Sequence, residues 1–144
     1  MTMNKRGNAF SFIAGVCAGI VNVLCALNAL TSVFSAIAYD AADWGLLLAS
    51  GALLAVAVTN LAGGCVCRNH RVAGGVMMLA SALALLAFGA ACLYFSLAKP
   101  EVFSGMFDAE YAVGVRRAVL GAGMLLALAD LLSAAAGAMS LLIR

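Results

Sequence analysis

Asp130 stands in the middle of the last long apolar stretch of this chain, where a carboxyl group has to be accounted for. At 1.5 Å per helical residue it lies about 20 Å from Arg117 on one side and from Arg144 on the other. That is near the midplane of a bilayer whose hydrocarbon core is about 30 Å thick. An acid at the centre of a span costs about 2.5–3.5 kcal/mol, so it calls for a partner, a water-filled cavity or a proton. No Lys or Arg stands at its depth, and burial without a cation favours the neutral acid. Asn22, Asn60 and Ser133 are the polar residues best placed to join it, and Asn22 shares its depth. Two chemistries fit such a group. One is a proton- or cation-linked site of the kind intramembrane acids mark in transporters. The other is a neutral acid that fastens helices together.

A second cluster is Cys65-Val66-Cys67, followed by Arg68 and His70. Two thiols and an imidazole suit a soft metal, but a closed zinc site takes four ligands at wider spacing, and the chain has one histidine. A disulfide within Cys-x-Cys is strained. Cysteines beside arginines at a membrane edge are also palmitoylation sites in some cells. The simplest reading of Cys65 and Cys67, and of Cys17, Cys25 and Cys92, is small apolar filling. No metal or other cofactor is expected.

These residues sit in a chain of 144 residues that is 66% hydrophobic and 10% charged, with a mean hydropathy of +1.12. A soluble domain is about half apolar and about a quarter charged. The whole chain therefore reads as a single membrane domain, 1–144, in contact with the lipid bilayer. A net charge of +2, scattered along the chain, argues against nucleic acid as a partner. No phosphate loop, zinc-protease motif or nucleophile elbow is present, which argues against an enzyme.

Four runs are long enough to cross a bilayer, at about 9–37, 44–67, 73–98 and 118–143. Backbone groups in lipid must be bonded within the segment, so each is expected to be a helix. Lys5 and Arg6 before the first run, with Ala36-Ile37-Ala38 after it, resemble a secretory signal. A signal's apolar region is about 7–15 residues, however, and this run reads as an uncleaved span. Tyr39, Asp40 and Asp43 separate the first two runs, and Arg68-Asn69-His70-Arg71 the next two. The third ends at Lys99-Pro100. In the outer segment 99–117, Val102, Phe103, Met106, Phe107 and Glu110 follow helical spacing, which suggests a short interfacial helix or a lid.

Basic residues near span ends set orientation. Lys5, Arg6, Arg68, Arg71 and Arg144 fall on one side, and Lys99, Arg116 and Arg117 on the other, which favours cytoplasmic termini. Tyr39, Trp44, Tyr94, Phe95, Phe103, Phe107 and Tyr111 cluster near the outer boundary, as interfacial aromatics do.

Leu against lipid gives helices no reason to associate, so small residues and polar side chains must do it. Gly15 and Gly19 form a GxxxG pair, continued by Asn22, Ala26 and Ala29. Gly123, Ala127, Asp130, Ala134 and Gly137 line one face of the fourth span. Ala49, Leu53, Val56, Asn60 and Gly63 do so in the second, and Ala80, Ala84, Ala87 and Ala91 in the third. The expected fold is an all-α bundle of four transmembrane helices running up-down-up-down.

Four spans with a longer second outer segment resemble the outline of tetraspanins and claudins. Those families staple their outer loops with disulfides, and neither outer segment here contains a cysteine. Trp44-Gly45-Leu46 is similar to the claudin loop signature without its cysteine pair. Small multidrug transporters also have four spans and one embedded acid, in the first span rather than the fourth. The architecture is closest to small four-span bacterial proteins, and the wealth of Ala and Gly suits a GC-rich bacterial genome. The leading expectation is a non-enzymatic subunit or accessory factor that binds another membrane protein or itself. The alternative is a small proton-linked transporter or channel using Asp130.

Overall fold

The computed structural model describes residues 2–38 and 44–142. Tyr39, Asp40, Asp43 and Arg144, which enter the charge and aromatic patterns above, lie outside the described residues. Five helices follow one another: α1 (Thr2–Ala38), α2 (Trp44–Val66), α3 (Arg71–Ala98), α4 (Glu101–Met106) and α5 (Ala109–Leu142), with no strand among the described residues. Four of them, all but α4, are long and apolar enough to cross a membrane, so the protein is a multi-pass membrane protein built as a four-helix bundle.

Neighbouring helices run antiparallel. Gly15 of α1 lies beside Gly64 of α2, while Ala26, later in α1, packs with Leu53 and Ala57, earlier in α2. On α3 and α5, Gly75 meets Gly137 and Gly89 meets Gly123. The four spans close into a ring, α1–α2–α3–α5, with α1–α2 and α3–α5 the most extensive contacts. The core is thin and combines alanine and cysteine with a few larger side chains: Ala14, Cys67, Met78 and Ala136 form one cluster and Ala26, Leu53, Ala57 and Leu85 another. Leu24, Leu48, Leu83, Leu128 and Leu142 point outward, as apolar side chains facing lipid should.

Glycine permits the closest crossings. A Cβ on Gly64 would lie 2.8 Å from the carbonyl carbon of Gly15, and one on Gly74 would lie 2.5 Å from both Cα and N of Cys67. Both obstacles are backbone, so no side-chain rotation relieves them.

Three boundaries differ from the sequence reading. Helix α1 begins at Thr2, well before the first apolar run. The outer segment is not one helix: α4 follows Pro100, whose fixed φ suits a helix start, and stops at an extended Phe107. The last helix then begins at Ala109, so Glu110 belongs to α5 and not to the face of Val102 and Phe103. Helix α4 packs on α5 and buries Phe103.

The third-span stripe is also corrected. Ala80, Ala84, Ala87 and Ala91 are all exposed, and the face turned inward carries Gly74, Met78, Ser81, Leu85, Gly89 and Ser96. Alanine is as comfortable against lipid as against a helix, whereas a serine hydroxyl is best satisfied inside the bundle.

Candidate functional site

The site is built on the inward faces of all four spans. Asn22 of α1 is held in place by Ala18 and Ala26, one turn to either side and both buried, so its side chain has only the bundle interior to enter. Asp130 of α5 is flanked by the buried Leu126, Ala129 and Ser133. The two meet: Asn22 Nδ2 donates to Asp130 Oδ1 at 2.7 Å, and both residues are fully enclosed, at 0% exposure.

Asn60 and Ser133 are placed differently from the sequence grouping. They bond to one another, not to Asp130. Ser133 Oγ donates to Asn60 Oδ1 at 3.0 Å, and Asn60 Nδ2 donates to Ser81 Oγ at 2.9 Å. Ser81 Oγ in turn donates to the backbone oxygen of Met77 at 2.6 Å. The result is a one-way chain that ends on a helix carbonyl, about one turn along α5 from Asp130. Ser81 is the member that sequence reasoning missed. It sits among alanines, and its signal was its register with Gly74, Gly89 and Ser96 on α3.

A third polar contact lies nearer the α2–α3 turn. Ser140 Oγ donates to the backbone oxygen of Arg71 at 2.7 Å, which leaves Cys67 Sγ as the donor to Ser140 at 3.1 Å. Cys67 is therefore buried between helices, while Cys65 and His70 are exposed. Among the described residues no three His, Cys, Asp or Glu side chains converge as metal ligands. At the opposite end, Arg116 Nε donates to the backbone oxygen of Ser96 at 2.6 Å, capping the last turn of α3 with a cation. Arg68 lies over the Phe12 ring at 5.9 Å and joins the α2 end to α1.

The helix-packing candidates are all buried. Gly15 faces Met78 and Gly64, Gly19 faces Leu61, Gly123 faces Gly89 and Cys92, and Gly137 faces Gly75 and Leu79. Their glycine partners Gly64, Gly75 and Gly89 carry no stripe of their own in the sequence, although each is buried in the bundle.

Among the described residues, the side-chain-to-side-chain bonds Asn22–Asp130, Asn60–Ser81, Ser133–Asn60 and Cys67–Ser140 share one arrangement. Each runs from the α1–α2 pair to the α3–α5 pair. Within each pair, glycine backbone meets glycine backbone at Gly15–Gly64, Gly75–Gly137 and Gly89–Gly123, and Gly19 meets the Leu61 backbone. Gly63 and Gly74 make one further such approach across the two pairs.

No family model, no curated protein and no solved structure matches the chain. The functional reading therefore rests on the geometry alone.

Two surface grooves are open to an apolar ligand or to lipid. One, of about 190 Å³, lies between α2 and α3 and is lined by Ala49, Ala52, Leu53, Val56, Ala84, Leu85 and Phe88. The other, about 560 Å³ and wide open, runs along α5 beside Glu110, Tyr111, Gly114, Val115 and Ala118. Neither is lined by Asp130 or by its partner Asn22.

Proposed function

We propose that this protein acts without catalysis, through helix–helix contacts in the membrane, as a subunit or accessory factor that associates with another membrane protein or with itself. The observation that carries this reading is the use made of the mid-depth polar groups. Asn22 bonds Asp130, Asn60 bonds Ser81 and Ser133, both sets crossing the bundle, and Asp130 is fully enclosed. A transporter would need its acid to exchange with water from one side and then the other. An acid locked between helices instead supports interhelical fastening. The outward faces of the spans are apolar and offer lipid or another helix a continuous surface. The distribution of Lys and Arg supports cytoplasmic termini, with the α2–α3 turn on the same side.

The test is flux. Purified protein in liposomes carrying an internal pH dye, with an imposed pH gradient, should leak protons no faster than empty liposomes. A protein-dependent leak that Asp130→Asn abolishes would replace this reading with the proton-linked transporter.

A further inference from the structure

Two atoms in the Asn22–Asp130 pair have no hydrogen-bond partner: Asp130 Oδ2 and Asn22 Oδ1. Both are buried and both are acceptors, and they belong to residues already joined by the bond from Asn22 Nδ2 to Asp130 Oδ1. We propose that this pair is a binding site for one proton, carried on Asp130 Oδ2 and donated to Asn22 Oδ1. The acid and the amide then form a closed ring of two hydrogen bonds, N–H to carboxyl oxygen and O–H to amide oxygen.

The two deficits match: each buried acceptor without a donor is destabilising, and a single proton removes both deficits at once. It also removes the net charge of a carboxylate at mid-bilayer, an additional cost on the insertion scales. Other occupants do less. A bridging water would donate to both oxygens but leave the charge in place. Hard metal cations take about six oxygens or more, and the nearby ones are committed. Asn60 Oδ1 accepts from Ser133, and Ser81 Oγ accepts from Asn60. Only three side-chain oxygens of the Asn22–Asp130 pair remain, one of them already bonded.

Among the described residues no charged side chain other than Asp130 itself belongs to this depth of the bundle. On α1 the ionisable side chain nearest in sequence to Asn22 is Cys25, three residues on. Helices α2 and α3 bring Asn60 and Ser81 to this depth, and their own ionisable groups (Cys65, Arg71, Cys92 and Tyr94) stand nearer the ends. Helix α5 carries no other ionisable side chain between Arg117 and Leu142. The proposal rests on the membrane-spanning reading but not on the accessory role, since a resident proton is compatible with either function.

The experiment is infrared spectroscopy of the reconstituted protein labelled with aspartate carrying 13C at the side-chain carboxyl. With Asp40, Asp43 and Asp108 replaced by Asn, Asp130 is the only aspartate and needs no substitution of its own. At neutral pH the label should report a protonated carboxyl C=O stretch, identical in sodium and in choline buffer. Carboxylate stretches alone, or an acid band that sodium converts to carboxylate, would overturn the proposal. In Asn22→Leu the acid C=O band should move to higher frequency as Oδ1 loses its donor. Asn22→Ser serves if the leucine variant does not fold. An unmoved band in a folded variant would sink the bridge.

Discussion

Gly64 and Gly15 meet backbone to backbone, with room for a hydrogen but not for a methyl group: a Cβ on Gly64 would come within 2.8 Å of the Gly15 carbonyl carbon and 2.9 Å of the Val16 nitrogen. Gly64→Ala should therefore force α1 and α2 apart and destabilise the protein by about 1–3 kcal/mol. Gly51, on the same helix, has nothing within 4 Å of its virtual Cβ. Gly51→Ala should be neutral, or stabilising by up to about 1 kcal/mol. Thermal unfolding in one detergent ranks the two, and equal effects would refute the close crossing.

The Asn22–Asp130 pair should show its coupling in a double-mutant cycle. Asp130→Leu and Asn22→Leu each strand a buried partner and should cost about 1–3 kcal/mol. The two together should cost less than their sum, with a coupling of about 0.6 kcal/mol, the average between membrane helices, and at most about 1.7. Asp130→Asn keeps the shape and should be tolerated within about 1 kcal/mol. Strict additivity would mean that the bond does not form in the membrane.

Asn60 is the hinge of the second polar chain because it accepts from one helix and donates to another. Ser133→Ala leaves Asn60 Oδ1 without a donor, and Ser81→Ala takes away the acceptor for Nδ2. Each should lower stability by about 1 kcal/mol, and Asn60→Leu by more. Ser50, which bonds only the Leu47 carbonyl of its own helix, provides the control. Ser50→Ala should leave the melting temperature nearly unchanged.

Orientation is open to direct measurement. Asn69 lies in the exposed α2–α3 turn and Ser104 on exposed α4, at opposite ends of the bundle. In a cysteine-free chain, Ser104→Cys should react with an impermeant maleimide from outside intact cells, and Asn69→Cys only after lysis. The reverse pattern would place the termini outside.

In the wild-type chain, Cys65 should react with maleimide well before Cys67. The first is exposed, whereas the second is buried with its sulfur 3.1 Å from Ser140 Oγ. Mass spectrometry of partly labelled protein distinguishes them. Equal rates would remove the Cys67–Ser140 contact.

Much of this architecture could be read from residue order, because hydrocarbon leaves a chain few choices. The four long apolar runs and the small-residue faces of the first and last spans follow from length and from glycine spacing. The depth match of Asn22 and Asp130 follows from the rise of a helix. The third span is ambiguous in sequence. Its alanines at 80, 84, 87 and 91 form as regular a stripe as any, yet they face outward. Lipid and bundle interior are equally apolar, so hydrophobic pattern alone cannot rank the faces. The polar and glycine positions at 74, 81, 89 and 96 can. The partition of Asn60 and Ser133 away from Asp130 depended on relative rotation of helices, which spacing within one helix does not define.

The arrangement of side-chain bonds between the α1–α2 and α3–α5 pairs also bears on how the protein comes into being. During synthesis the first pair reaches the membrane before the second exists. Its glycine contacts can form at once, but Asn22 and Asn60 must wait in lipid until Asp130, Ser81 and Ser133 arrive. Asn22 and Asn60 in one half and Asp130 in the other find their side-chain partners across the divide, so each half is a marker of the other's absence. A chain divided in the short turn at Asn69 should therefore recover a native bundle when both halves are made together, and each half made alone should be held back or degraded. The same residues that fasten the finished protein would then report, to the cell's quality control, that it is unfinished.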